Sequence, residues 1–296
     1  MISVLFFSQL INGLQLGSIY ALVALGYSMV YGIIMLLNFA HGDVIMVGGY
    51  IALLTLASGL HPGFAVVLAV IGCVILAVTV EKLAYKPLRS APRISLLITA
   101  IGVSMLLQNL AQFFYSPNAR PFPSSQILPA ASIQITEGLN ISVTAIVTIA
   151  VSVVSMAVLT FLVHRTKMGK AMRAVSEDTI AAQFMGINVN NVISFTFAIG
   201  AALAGIGSIL YCCRYPLVSP TMGSLLGLKA FVAAVLGGIG SIPGAMVGGF
   251  AIGLAEVLVT SLGLSTWADG VVFAILIVVL LVRPTGFLGR NIMEKV

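Results

Sequence analysis

Ionisable groups are scarce in this 296-residue sequence, so those that interrupt its apolar runs stand out. Asn38-Phe-Ala-His41-Gly42-Asp43 sets an amide, an imidazole and a carboxylate between two such runs. Polar and ionisable groups at membrane depth are costly, and they mark substrate paths and proton relays. The same residues also suit a junction between helices, with Asn38 or Asp43 capping the second helix and His41 making one local bond. One His and one Asp are too few ligands for a metal ion. Glu256 stands in the middle of Ala-Ile-Gly-Leu-Ala-Glu-Val-Leu-Val. Unpaired, it could relay a proton; paired, it would tie neighbouring helices by hydrogen bonding. Gln108, Asn109 and Gln112 add three amides to another apolar run, as interhelical ties or as lining for a path.

A second cluster of polar residues lies outside the apolar runs, in the segment 164–190. Ser176 is the predicted N-cap of a short amphipathic helix, with Glu177 and Asp178 in its first turn, where the helix dipole favours acids. Ala181, Ala182 and Met185 would form a small, partly apolar face, and Gly186 a stop. Such a helix either lies on the membrane surface as a connector or docks into a partner.

Other chemistry has no foothold. Gly169-Lys170 lacks the upstream glycine of a phosphate-binding loop and is followed by Ala171. No G-x-S-x-G, H-E-x-x-H or Cys/His cluster occurs, so no catalytic residue, cofactor or metal is predicted. Cys73, Cys212 and Cys213 lie within or beside apolar runs and read as packing residues.

The elements that must carry these residues follow from composition. The chain is 60% hydrophobic and only 7% charged. Soluble domains are about 25% charged. A helix needs roughly 20 apolar residues to cross the hydrocarbon core. Apolar runs cover 9–33, 43–58, 62–82, 94–114, 141–163, 191–213, 226–241, 243–262 and 268–283. The fold class is therefore all-α, a polytopic transmembrane bundle of eight or nine spans forming one domain over 1–296. The apolar start, without a basic leader, predicts no cleaved signal peptide.

The net charge of +6 does not point to nucleic acid, because the basic residues gather at the ends of apolar runs. Lys82, Lys86, Arg89 and Arg93 form one cluster; Arg165, Lys167, Lys170 and Arg173 a second; Arg283, Arg290 and Lys295 a third. Even numbers of runs separate the three, so all can be cytoplasmic, with the Pro-containing segment 115–140 outside. Three spans before Lys82 put the N-terminus outside; a re-entrant break at Asn38–Asp43 puts it inside. Met46-Val-Gly-Gly-Tyr50 returns as Met246-Val-Gly-Gly-Phe250, a possible weak internal repeat. Glycines four apart, as at 13 and 17 and at 240, 244 and 248, predict close helix crossings, with Pro243 at a helix start.

Gly13-Leu-Gln-Leu-Gly-Ser-Ile-Tyr-Ala-Leu-Val-Ala-Leu-Gly26, Val30-Tyr-Gly-Ile-Ile34 and Asn38–Asp43 together resemble the start of LivH-type permeases, the inner-membrane subunits of bacterial branched-chain amino acid ABC importers. Ala174–Ile187, Lys229–Ala245 and Arg283–Arg290 extend the likeness over nearly the whole chain. The resemblance implies a second, LivM-like permease subunit, two cytoplasmic ABC ATPases and a periplasmic solute-binding protein as partners, in a lipid bilayer. It implies that Ala174, Ser176, Glu177, Asp178, Ala181, Ala182, Met185 and Gly186 belong to a coupling helix, and it leaves Asn38, His41, Asp43 and Glu256 as path candidates. Related permeases carry urea or short amides, so leucine, isoleucine and valine are one substrate class among these. A stand-alone ion-coupled transporter using Asp43 and Glu256, and a membrane scaffold, are the rival readings.

Overall fold

The computed structural model describes residues 2–89, 91–136 and 139–289. Arg290 and Lys295 of the third basic cluster lie outside them. All nine apolar runs are helical: α1 (Ile2–Ile34), α2 (His41–Ala57), α3 (Pro62–Val80), α4 (Arg93–Tyr115), α5 (Val143–Arg165), α8 (Val189–Arg214), α9 (Met222–Gly237), α10 (Ile242–Ser261) and α11 (Ala268–Val282). Between α5 and α8 lie two further helices, α6 (Lys167–Glu177) and α7 (Thr179–Phe184). Four short strands form two small antiparallel pairs. β1 (Arg120–Pro121) pairs with β4 (Leu217–Val218), and β2 (Ser132–Thr136) with β3 (Leu139–Ser142).

Seven of the helical segments are long and apolar enough to cross a membrane; α2 and α9 are shorter. Burial ranks them. The most apolar window of α1 is 78% buried and that of α8 67%, against 17% for α4 and α5 and 11% for α11. So α1 is the hub, and the peripheral helices turn apolar side chains such as Ile98, Phe113, Val154 and Leu281 outward. In water such a surface would be untenable; in hydrocarbon it costs nothing.

Glycine sets the hub. A Cβ on Gly13 would sit 3.0 Å from the Leu254 Cα, and one on Gly17 2.7 Å from the Phe250 Cα. A Cβ on Gly249 would sit 2.5 Å from the Ala21 Cα. As the number rises in α1 it falls in α10, so the two run antiparallel with backbones in contact, which only small residues allow. Ser241 caps α10 through its Oγ, which accepts from the Gly244 N–H (3.2 Å), and Pro243 lies in the first turn as its sequence position predicts. The two Met-Val-Gly-Gly copies pack differently: Gly48 of α2 lies against Cys73 and Ser208, and Gly248 of α10 against the Ala233 backbone.

The ends of α1 and α5, the middle of α6 and the start of α10 share one small crevice, lined by Gly32, Val163, Met172 and Ile242. The end of α3 meets the start of α8 where Arg89 donates to Asn190 Oδ1 (2.6 Å). All described basic clusters therefore lie at one end of the bundle, called the basic face below. The start of α1, the ends of α8 and α10 and the small strands lie at the opposite face. Three crossings precede Lys82, so the N-terminal end of α1 is on that opposite face.

Two of the nine crossings are only partly helical. After α1 the chain stays non-helical through 35–40, buried at Leu36, Asn38 and Ala40, before α2 begins against Gly26 of α1 and Gly200 of α8. After α8 it returns through 215–221 before α9 begins. The starts of α2 and α9 touch: a Cβ on Gly42 would lie 2.1 Å from the Gly223 carbonyl oxygen. Short helices that begin within a bundle bring their N–H ends, the positive ends of their dipoles, to membrane depth.

Candidate functional site

The first candidate site is the start of α2. The helix begins at His41, so Asp43 lies inside the first turn and makes no cap; Ala40 occupies the cap position without a side-chain bond. This corrects the capping role expected for Asp43. Its Oδ1 accepts from Gln108 Nε2 of α4 (3.0 Å), while its buried Oδ2 has no partner. His41 is buried, with Nε2 unpartnered and its backbone N–H donating to Asn38 O (3.0 Å). Its ring packs edge-on to Tyr27 at 5.0 Å between centroids. Asn38 Oδ1 accepts from the Tyr85 hydroxyl (2.7 Å), which ties the non-helical stretch to the end of α3. The structure thus brings Asn38, His41 and Asp43 into one buried polar patch beside the meeting point of α2 and α9. Of the three amides on α4, Gln108 joins this patch and Asn109 bonds its own helix at Met105 O (2.7 Å).

Glu256 belongs to a different network, nearer the opposite face. Its Oε2 accepts from the Tyr20 hydroxyl (2.7 Å) and its Oε1 from Lys229 Nζ (2.8 Å). Lys229 Nζ also pairs with Asp269 Oδ1 (2.6 Å). Glu256 is therefore not the unpaired carboxylate that a proton relay requires; it ties α10 to α1, α9 and, through Lys229, α11. The cation and the Glu256 carboxylate are both largely buried and satisfy each other, while Asp269 meets Lys229 from a half-exposed position. Lys229 and Asp269 carry no helical periodicity signal that would single them out, and the only hint is that each is an isolated charge in apolar sequence.

A third ionic cluster escaped sequence reasoning. Glu81 is wholly buried where α3 loosens into a π-turn over Glu81–Tyr85. It pairs with Arg89 and accepts from Ser194 Oγ of α8 (2.7 Å). Here a residue of the basic cluster closes a buried bond between helices.

The segment 164–190 is more ordered than a loop. Thr166 caps α6 by accepting from the Gly169 N–H (3.0 Å). Gly169, Met172 and Val175 point into the bundle while Lys167, Lys170 and Arg173 face out. Ser176 and Glu177 end α6 instead of starting the next helix, and Ser176 Oγ donates back to Arg173 O (2.8 Å). Asp178 is the true N-cap of α7, accepting from the Ile180 and Ala181 N–H groups at 2.8 and 3.0 Å. The helix after it is six residues long, and Gly186 stops the run at φ +81°. Ala174 is half-buried and Ala182 buried, while Ala181 and Met185 are exposed. Sequence reasoning missed the two largest parts of the outward face: Phe184 (88% exposed) and Ile180 (65%) join Met185 (82%) on a knob that the basic face leaves bare. The spacing 180, 184, 185 is a helical one and could have been read as such.

The family described as branched-chain amino acid transport system / permease component matches residues 9–281. The chain is 43% identical to the high-affinity branched-chain amino acid transport system permease protein BraD of Pseudomonas aeruginosa, over 98% of both chains. It is 42% identical to LivH of Escherichia coli, again over 98% of both, and 30% identical to a probable LivH of Methanocaldococcus jannaschii, over 92% of this chain and 89% of that one. Identity at that level and over that length, on a bundle of membrane-crossing helices, places this chain in the family of branched-chain amino acid transport permeases.

Proposed function

We propose that the chain is the permease subunit of an ABC importer that moves leucine, isoleucine and valine, delivered by an external solute-binding protein, across the bacterial inner membrane. Near-complete alignment with permeases of that name carries this reading. It pairs with a second, LivM-like permease, and two cytoplasmic ATPases supply the energy, since the chain itself lacks a phosphate-binding loop. The basic face is cytoplasmic, in keeping with the positive-inside rule, and the N-terminus is external.

In this reading the segment Ala174–Gly186 is the coupling element. Asp178 and Gly186 fix the two ends of α7, and Ile180, Phe184 and Met185 are the apolar plug that an ATPase groove covers. Asn38, His41 and Asp43 flank the path, where the starts of α2 and α9 can part as the bundle rocks. Reconstitution tests it. In proteoliposomes holding the whole importer, charge reversal across Glu177–Gln183, or Phe184→Glu, leaves ATP hydrolysis running without matching leucine uptake. Unaltered transport by these variants refutes the coupling role. Uptake by the permease pair without ATPases refutes the importer.

A further inference from the structure

The opposite face carries a cleft of about 200 Å³ between α1, the end of α8 and the end of α10. Arg214 and Glu256 both line it, and among the described residues no ion pair joins them. Arg214 donates through Nη1 to Gln15 and lies over the Tyr215 ring (5.5 Å), which leaves its Nε buried without an acceptor. The amides of Gln9 and Asn12 and the apolar side chains of Leu16 and Val257 complete the lining. A cation and an anion held apart, with an apolar wall between amides, complement a zwitterion that carries an apolar side chain.

From this geometry we propose that the cleft is the receiving station for a free α-amino acid. The substrate carboxylate meets the Arg214 guanidinium, taking the place of the Gln15 amide oxygen at Nη1. The ammonium meets Glu256, and the aliphatic side chain lies against Leu16 and Val257. Lys229 makes this exchange possible. It pairs with Asp269 as well as Glu256, so when Glu256 turns to the ammonium Lys229 keeps a carboxylate partner. An uncharged urea or amide offers Arg214 and Glu256 no better partner than those they already have, so the station favours amino acids over those solutes. The proposal rests on the importer reading for its orientation and narrows its substrate class.

The test uses the purified permease pair in lipid discs, without ATPases or binding protein. The thiol introduced by Thr260→Cys, at the exposed rim of the cleft, is labelled with a charged thiosulfonate. Leucine at about 10 mM, some tenfold above a millimolar Kd, is expected to slow labelling several-fold, while leucinamide, isovalerate and urea at equal concentration leave it unchanged. Adding Arg214→Gln removes the protection, and adding Arg214→Lys restores part of it. Equal protection by isovalerate or leucinamide, no protection by leucine, or a thiol that never reacts each overturns the station. In the complete importer, Arg214→Gln and Glu256→Gln lower leucine uptake on the order of tenfold or more. Wild-type rates in both variants overturn the station while leaving the importer standing; no leucine uptake by the unsubstituted importer overturns the importer reading.

Discussion

Gly42→Ala tests whether the starts of α2 and α9 are locked together as described. The added Cβ would stand 2.1 Å from the Gly223 carbonyl oxygen, against a floor of 3.0 Å for real Cβ contacts, so the backbones must part by at least 0.9 Å (3.0 minus 2.1). The obstacle is backbone, which no rotamer change can relieve. Overpacking of this kind costs about 1–3 kcal/mol. For a chain of this size that corresponds to a drop in melting temperature of roughly 2–5 °C. Gly223→Ala meets the Gly42 carbonyl oxygen at 2.2 Å, so one separation relieves both clashes and the double variant should cost clearly less than the sum. Gly102→Ala on α4 is the control, since nothing lies within 4 Å of its Cβ position. Buried Cys73 and Cys212 supply the assay: a fluorogenic thiol reagent reports their exposure as detergent-solubilised protein is heated. Gly42→Ala melting with the unsubstituted protein and the Gly102→Ala control would refute the close crossing, and with it the placement of His41 and Asp43.

Three further perturbations address the ties around the site. Lys229→Met leaves the largely buried Glu256 carboxylate without its cation and should destabilise by about 3–5 kcal/mol, with Lys229→Met/Glu256→Gln recovering part of it in the same thermal assay; equal melting of single and double variants would contradict the buried pair. Tyr85→Phe removes the donor to buried Asn38 and should cost about 1–3 kcal/mol, read as an earlier melt, whereas an unchanged curve would mean that this bond does not hold the 35–40 stretch. Asp178→Ala unties the first turn of α7 at a cost of about 0.5–2 kcal/mol, read as faster amide exchange over 179–186 with the bundle unaffected; unchanged exchange would rule out that cap.

Hydrophobic runs made the helices legible, because a crossing needs a length of apolar sequence that little else produces. Their glycine spacing likewise foretold close helix crossings, though not which helices would meet, and Pro243 the start of α10. Helix ends were harder. Ser176, Glu177 and Asp178 are all acceptable first-turn residues, and α6 claims the first two because Met172 and Val175 hold it against the bundle. Asp43 looked like a cap because it precedes an apolar run, yet the helix starts two residues earlier and Asp43 turns to Gln108, 65 residues on. Glu256 shows the limit most plainly. Its partners come from positions 20 and 229, and no local pattern reports which other helices will supply a cation or a hydroxyl.

The central place of α1 has a consequence for how the protein is made. Within this sequence α1 is made before the helices that enclose it, and its glycine face waits for α10, more than 200 residues later in the chain. Until then Gln15, Ser18 and Ser28, all buried in the finished bundle, lie in lipid or against temporary neighbours. Assembly cannot proceed as a string of completed hairpins: α10 must be made before the hub closes, and a chain that stops short of α10 leaves α1 without its main neighbour.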